Sequence, residues 1–344
     1  MKKKVIIENP QAFSELVTNN VSMLAIFQYA ESIALSSQPV LITGETGVGK
    51  ELLAKSIYTL SKLKGRFVAV NVAGLDDNIF SDTLFGHVKG AFTGADQVRR
   101  GLIRHASGGM LLLDEIGGLS PASQVKLLRL LQEGEYLPLG QDEIKQTNAR
   151  IVTSTNENLW KLMRIEKFRK DLNFRLRTHH IHMSPLRERM DDIPLLVEHF
   201  LEKSARALKK KKPTPPKELF SRLETYAFPG NVRELESMIH NAVTIHTGRM
   251  LSLDMFKLHI DREQENLEPP AGIEPEQDVR LTFGETLPTI KEAGSKLVIE
   301  AMKRAKGNQT LAASMLGITR QALSKRLKNL TNLGAGGTRN ALAV

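Results

Sequence analysis

Apolar residues follow two rhythms along this chain. Within the first 185 residues, short apolar strand-like runs at 40–43, 67–71, 110–114, 151–155 and 180–183 alternate with stretches of helical spacing such as 51–63. Continuous runs, rather than strict alternation, predict strands buried on both faces, as in a parallel sheet covered by helices on both sides. Beyond residue 185 the strand-like runs stop. Segments 193–208, 217–226 and 232–244 read as helices. Pro229-Gly230 precedes the last of these, and Lys209-Lys210-Lys211-Lys212-Pro213 is a polar break behind the first. The expectation is an α/β domain followed by a small helical domain.

Periodicity is lost between 261 and 286, where Pro269, Pro270 and Pro275 sit among carboxylates, which predicts a linker. Helical spacing returns over 287–331, and Gly334-Ala335-Gly336-Gly337 then marks a frayed end. The chain therefore divides into a short N-terminal segment (1–20), an α/β domain (21–185), a helical domain (186–260), the linker (261–286), a second small helical domain (287–331) and a tail (332–344).

Composition narrows the chemistry. With no cysteine among 344 residues, disulfides, thiolate metal sites and cysteine nucleophiles are excluded. No apolar run approaches the roughly 20 residues that span a bilayer. The Val5-Ile6-Ile7 run behind the basic start is too short for a signal-peptide core. A cytoplasmic protein with no membrane partner is expected. The net charge is +10, and residues 285–344 hold ten Lys and Arg against three Glu, so +7 of it lies there. That concentration suits a polyanionic partner.

The first apolar run leads into Gly44-Glu45-Thr46-Gly47-Val48-Gly49-Lys50, and a helix is predicted to follow. Strand, Gly-x4-Gly-Lys and helix are the setting of a P-loop: glycines let backbone amides turn toward phosphates, and Lys50 reaches the β- and γ-phosphates of ATP. Glu51 stands where a hydroxyl ligand for Mg²⁺ is usual, so Thr46, water or a later acid must serve. Met110 to Leu113 end in Asp114-Glu115, a Walker B arrangement in which Asp114 orients Mg²⁺ through its waters and Glu115 polarises the attacking water. The strand at 151–155 ends in Thr155-Asn156, placing Asn156 to sense the γ-phosphate. Near the C-terminus, residues 305–327 read as helix, turn, helix. Leu311, Ala312, Met315 and Leu316 give the first helix an apolar face, and Gly317 makes the turn. Thr319 caps the second helix, Leu323 and Leu327 bury it, and Arg320, Gln321, Ser324, Lys325 and Lys328 face outward.

The run Gly90-Ala91-Phe92-Thr93-Gly94-Ala95 resembles the signature loop of the bacterial enhancer-binding proteins, the sigma-54-dependent AAA+ transcriptional activators. A chance match to six fixed residues in a chain this long is on the order of 10⁻⁵. The resemblance extends over about residues 20–330. It implies an AAA+ α/β fold with a helical lid and makes Glu51 a family mark. It also implies that Asn71 holds the catalytic glutamate in check, that Arg169 and Arg175 are fingers reaching a neighbouring subunit's ATP, and that Arg233, in Pro229-Gly230-Asn231-Val232-Arg233-Glu234-Leu235, is the sensor II arginine. The chain departs from the family at Lys170, usually an acid, and near Asn173, usually Tyr. The C-terminal helices resemble a Fis-type DNA-binding domain, whose second helix would enter the major groove.

The function implied is a transcriptional activator that binds upstream enhancer DNA, assembles an ATP-hydrolysing ring, usually a hexamer, and remodels the closed complex of sigma-54 and RNA polymerase. Its cofactors would be ATP and Mg²⁺. Only about 20 residues precede the AAA+ region, where many members carry a receiver or sensing domain. Control in trans by a partner is one expectation, beside a shortened chain or control at expression. An ATP-liganded regulator of another promoter class, a general AAA+ remodeller and a structural DNA-bending protein are the competing readings. The intact signature loop, the Fis-like end and the set Lys50, Asp114 and Glu115 argue against each in turn.

Overall fold

A computed structural model describes residues 6–267, 289–305 and 308–333. The chain forms two compact units, Met1–Glu268 and Pro269–Val344.

The first unit is built on five parallel strands: β1 (Val40–Thr43), β2 (Phe67–Asn71), β3 (Met110–Asp114), β4 (Arg150–Thr155) and β5 (His179–His182). They lie in the order β2-β3-β4-β1-β5. Successive residues of one strand fall into different cores: Leu111 and Leu113 pack on one side with Phe80, Leu127 and Leu172, while Met110 and Leu112 pack on the other with Phe27, Leu53 and Ile57. Side chains alternate across a sheet, so two cores require apolar residues at every position. That is the physical source of the unbroken apolar runs. The helices that cover these faces include α1 (Val21–Ile33), α2 (Lys50–Ser61), α3 (Asp77–Phe85), α4 (Pro121–Glu133) and α5 (Lys170–Leu176).

Behind the sheet lie α6 (Ile193–Ala207), α7 (Lys217–Leu223), α8 (Asn231–Ile245) and α9 (Asp254–Leu267). Ile193, Leu196, Val197, Phe200 and Leu201 make one stripe of α6 and meet Leu235, Met238, Ile239 and Ala242 of α8 in a third core. Lys210 closes the far end of this packing, its Nζ donating to the carbonyls of Val243, Thr244 and His246. The break at 209–213 is thus also a helix cap for α8. One boundary differs from expectation. The helix of residues 254–267 runs beyond 260, where the linker was expected to begin. Residues 261–267 contain no Pro or Gly and are mostly good helix formers, so acidity alone does not end the helix. The rest of the expected linker and residues 334–344 of the tail lie outside the described residues.

The second unit consists of α10 (Ile290–Arg304), α11 (Gln309–Met315) and α12 (Arg320–Leu333). Thr289 and Glu292 form a capping box at the start of α10. Gly317 turns the chain between α11 and α12 with φ +61°. The core of this unit is Val298, Ala301, Ala305, Ala312, Ala313 and Leu323. The apolar face expected for α11 is therefore divided: Ala312 and Ala313 are buried, with Leu316 packed against them, while Leu311 and Met315 stay half-exposed. Alanine side chains let the helices approach closely, which leaves the longer residues at the rim.

Candidate functional site

The turn after β1 wraps into a loop that only glycine can complete. A Cβ on Gly44 would lie 2.7 Å from the Met183 carbonyl, and one on Gly47, at φ +81°, would lie 2.1 Å from the Gly230 carbonyl. Gly49 takes φ +106° just before α2 begins. Among the described residues, the backbone N–H groups of Gly47, Val48 and Gly49 donate to no protein acceptor. Yet Val48 is only 2% exposed and Lys50 7%. Unpaired amides, that of the buried Val48 among them, beside a buried ammonium form a cradle for an anion, with the first turn of α2 adding its own orphan donors. This donor set fits a nucleotide's phosphates. It opens into a cleft of about 920 Å³, whose walls include Leu16, Val17 and Met23 on one side and Leu196, Phe200 and Val232 of the lid on another.

The acids converge on the same place. Lys50 Nζ donates to the carbonyls of Gly44 (2.9 Å) and Glu45 (3.4 Å) and lies 3.3 Å from Glu115 Oε1. Glu115 Oε2 accepts the backbone N–H of Asn156 at 3.0 Å. Glu115 holds φ +60°, a conformation uncommon for a non-glycine residue. Asp114 Oδ1 accepts the Ser154 hydroxyl at 2.6 Å, which fixes a carboxylate suited to a hard cation such as Mg²⁺. Asn156 Nδ2 donates to Thr46 Oγ1 at 3.0 Å, so the hydroxyl considered as a metal ligand faces Asn156. Glu51 pairs with Lys55 one turn along α2, at 2.9 Å.

Not every expected residue meets its expected partner. Asn71 lines the cleft beside Asp114 and Glu115, but its Oδ1 accepts the Ala73 N–H at 2.8 Å. No hydrogen bond joins Asn71 to Glu115 among the described residues; Lys50 and the Asn156 amide hold the glutamate instead. Arg233 lines the cleft from the lid, and its N–H donates to the Gly47 carbonyl at 3.2 Å. Arg169 and Arg175 are not part of the cleft wall. Arg169 is paired with Asp171 through two hydrogen bonds of 3.1 and 2.7 Å, which hold the Asp171 carboxyl below its ordinary range. Arg175 Nε donates to the Leu131 carbonyl at 3.1 Å. Between them Asn173 is fully buried, and neither polar atom of its side chain has a partner among the described residues.

The signature segment forms a projecting loop between two short antiparallel strands, Gly86–His87 and Arg99–Arg100. Gly90 and Gly94 both take positive φ, and the loop closes on itself through Gly90 N–H to Ala95 O (2.9 Å) and Ala95 N–H to Phe92 O (3.0 Å). Ala91 packs beside Gly140, and Ala95 is buried. Phe92 is 46% exposed, its ring edge-on to His87 at 4.9 Å, and Thr93 is exposed beside it. Asp82 braces the base by accepting from His87 Nδ1 (2.5 Å) and from Arg99.

In the second unit Thr319 Oγ1 accepts the Ala322 N–H at 3.3 Å and so caps α12. Gln321 and Lys325 are exposed on that helix and Ser324 is half-buried. The side chains of Arg320 and Lys328 lie outside the described residues.

Comparison with known proteins follows the same divisions. Residues 16–182 match the Sigma-54 interaction domain, residues 187–272 the AAA+ ATPase lid domain, and residues 289–330 the Bacterial regulatory protein, Fis family. The regulatory protein AtoC of Escherichia coli (strain K12) is 36% identical over 317 residues, covering 92% of this chain and 68% of that protein. The chain belongs to the sigma-54-dependent transcriptional activators.

Other members of that family are similar over comparable spans. The DNA-binding transcriptional regulator NtrC of Azospirillum brasilense is 35% identical over 334 residues, covering 92% of this chain and 69% of that one. The formate hydrogenlyase transcriptional activator FhlA of E. coli is 37% identical over 323 residues, 92% of this chain but 44% of that protein. Among solved structures, NtrX from Brucella abortus in complex with ATP superposes with a TM-score of 0.65 at 27% identity, over 92% of this chain and 69% of that one. Membership of the activator family carries with it an AAA+ ATPase domain that binds nucleotide and a Fis-type helix-turn-helix for DNA. No helix among the described residues is long and apolar enough to cross a membrane.

Sequence reasoning missed how the activator's lid is fastened to its P-loop. Arg187 makes a two-pronged ion pair with Glu45, at 2.7 and 2.5 Å. The guanidinium, helped by Asn231, holds the Glu45 carboxyl down to about 2. Asp192, fully buried, accepts from Thr18 Oγ1 (2.6 Å) and from the Asn19 and Asn20 amides (2.7 and 3.1 Å), and stands 3.7 Å from Arg189. These residues lie in or near the predicted motifs, but nothing in their spacing announces the partners.

Proposed function

We propose that this activator binds upstream enhancer DNA through α12, assembles into an ATP-hydrolysing ring, most simply a hexamer, and remodels the sigma-54 RNA polymerase closed complex through Gly90–Ala95. What carries the reading is one compact unit that holds both the cleft with Lys50, Asp114 and Glu115 and an exposed Phe92-Thr93 tip braced at its base. The working divisions are an ATPase over 21–185, a lid from 186 into α9, and a DNA-binding domain over 287–331. The protein works in the cytoplasm.

Within the cleft, the amides of Gly47, Val48 and Gly49 with Lys50 bind the β- and γ-phosphates. Glu115 polarises the attacking water, and release of its carboxylate from Lys50 and the Asn156 amide is the step that readies it. Asp114, oriented by Ser154, would hold Mg²⁺, which when bound would supply positive charge against the phosphates. Asn156 and Asn71 read the γ-phosphate from the ends of β4 and β2, and Arg233 reads the nucleotide from the lid. Arg169 and Arg175, outside their own cleft, supply positive charge to the neighbouring subunit's ATP once Arg169 leaves Asp171. Catalysis here is positioning and charge stabilisation.

Thr93→Ala should keep ATPase activity within about twofold and abolish open-complex formation on a sigma-54 promoter, because Thr93 touches neither the cleft nor its walls. Transcription that survives this change would refute the loop's role. Turnover per subunit that stays constant on dilution would refute the fingers acting in trans.

A further inference from the structure

Asn231 sits at the first turn of α8, 0% exposed, with φ +54°. Its side chain uses both ends. Oδ1 accepts the Leu186 N–H at 2.8 Å; Nδ2 donates to Glu45 Oε2 at 3.1 Å and to the Thr46 carbonyl at 3.0 Å. One amide group thus joins the P-loop, the segment leading out of β5, and the lid helix. Two residues on, the Arg233 N–H donates to the Gly47 carbonyl.

These bonds have a consequence fixed by peptide geometry. In a planar trans peptide the carbonyl of one residue and the N–H of the next point in opposite directions. With the Thr46 and Gly47 carbonyls drawn to the lid helix, the N–H groups of Gly47 and Val48 are turned away from it. Both N–H groups lack any protein acceptor among the described residues. A P-loop peptide can otherwise flip when no bond holds its carbonyl, and glycine at position 47 lowers the barrier to that flip.

We propose that Asn231 is a positioning residue that sets the Gly47 and Val48 amides for phosphate binding and ties phosphate occupancy to the lid. The inference rests on the reading of this loop as a nucleotide site. It works in both directions: phosphate oxygens that hold the amides also hold the carbonyls against Asn231 and Arg233, so nucleotide binding tightens the lid, and lid movement loosens the cradle. The left-handed backbone at Asn231 matches this use, because asparagine is among the few residues besides glycine that adopt it readily.

The test uses the full chain with ADP as probe. Asn231→Gly keeps the backbone conformation and removes the amide, and Asn231→Asp places a second carboxylate against Glu45 and the Thr46 carbonyl. Calorimetry should show ADP binding weakened about tenfold or more in the glycine variant and further in the aspartate variant. Addition of Glu45→Gln to Asn231→Asp should recover part of the loss by returning a donor to the pair. Selective amide labelling gives a readout that general loosening would not move. In the wild-type chain saturating ADP shifts the Gly47 and Val48 amide protons strongly downfield, and in Asn231→Gly at saturating ADP the shift should be much reduced. Affinity within twofold of wild type, or a full downfield shift in the variant, would overturn the inference. A wild-type chain that binds no ADP would instead remove the nucleotide reading, and this inference with it.

Discussion

The P-loop–lid junction and the signature loop are built in opposite ways within one unit. At the junction, carbonyls, carboxylates and amides from residues up to 186 positions apart are bonded around the buried Asn231, and Gly44 and Gly47 stand where any Cβ would strike backbone. At the loop, a Cβ on Gly90 or Gly94 would meet nothing within 4 Å, and the tip residues are exposed. Close-packed regions tend to switch between discrete arrangements, whereas sparsely bonded ones move at little cost. The difference suits a division of labour. The junction registers phosphates as one state or another, and the loop carries that state to a partner.

Glycine substitution separates the two most sharply. Gly47→Ala places a methyl about 2.1 Å from the Gly230 carbonyl at φ +81°, so the P-loop and the lid cannot both keep their places. ADP binding should fall by at least about 100-fold, measured by calorimetry, since several cradle contacts are lost together. Gly94→Ala has room for its methyl and bears only the strain of φ +96°. It should cost about 1 kcal/mol of stability and leave ADP affinity unchanged. Equal losses of binding in the two variants would erase the distinction between the regions.

The same contrast explains what could be read before the structure. Strands β1, β2 and β3 were legible because a sheet with two cores needs apolar residues on both faces, β4 and β5 by shorter apolar stretches around Ile151-Val152 and Ile181, and the P-loop because its glycines and lysine fall within seven residues. The loop at Gly90–Ala95 is local too. Asn231 and Arg187 were not legible: their partners at Glu45 and Thr46 lie far back in the chain, and an asparagine after Pro-Gly reads as an ordinary turn former. The course of α9 past residue 260 was missed for a different reason. Charge suggested a linker, whereas helix propensity and the absence of Pro before 269 kept the helix going. Asn71 and Glu115 occupy adjacent strand ends as their positions imply, yet which group bonds the carboxylate depends on side-chain direction, which strand patterning does not carry.

A second comparison sets two carboxylates against each other. Asp192 has no exposure and braces Thr18, the start of α1 and the buried Arg189. Asp192→Ala removes the carboxylate nearest the buried Arg189, leaving it the more distant charge of Asp191, and takes an acceptor from Thr18 and the Asn19 and Asn20 amides, so thermal unfolding should report a loss of about 3–5 kcal/mol. Asp82→Ala removes the brace under the signature loop, where Arg99 reaches solvent, and should cost about 1 kcal/mol. A larger loss at Asp82 than at Asp192 would mean that the loop's base, not the junction, is the rigid half.

The effect confined to the narrowest conditions sharpens the comparison through pH. His180 on β5 lies next to the junction, since its Nε2 is 2.9 Å from the hydroxyl of Thr43, the residue before Gly44. Arg177 Nη2 stands 3.0 Å from His180 Nδ1, and an arginine can only donate, so Nδ1 accepts and the proton sits on Nε2, donating to Thr43. Burial first, then Arg177 and His182, push the His180 pKa down to about 4. The unfolded chain, with a histidine pKa near ~6.5, takes up a proton in the range where the folded imidazole stays neutral. Stability is therefore full above pH ~6.5 and falls as the pH drops toward 4, with a slope of at most about one proton. His180→Gln keeps a donor for Thr43 and an acceptor for Arg177 but cannot titrate. Its thermal midpoint should lose this slope between pH 6.5 and 4 while matching the wild-type slope at higher pH. An unchanged slope in the variant would place the charge-sensitive part of the fold elsewhere than beside the P-loop.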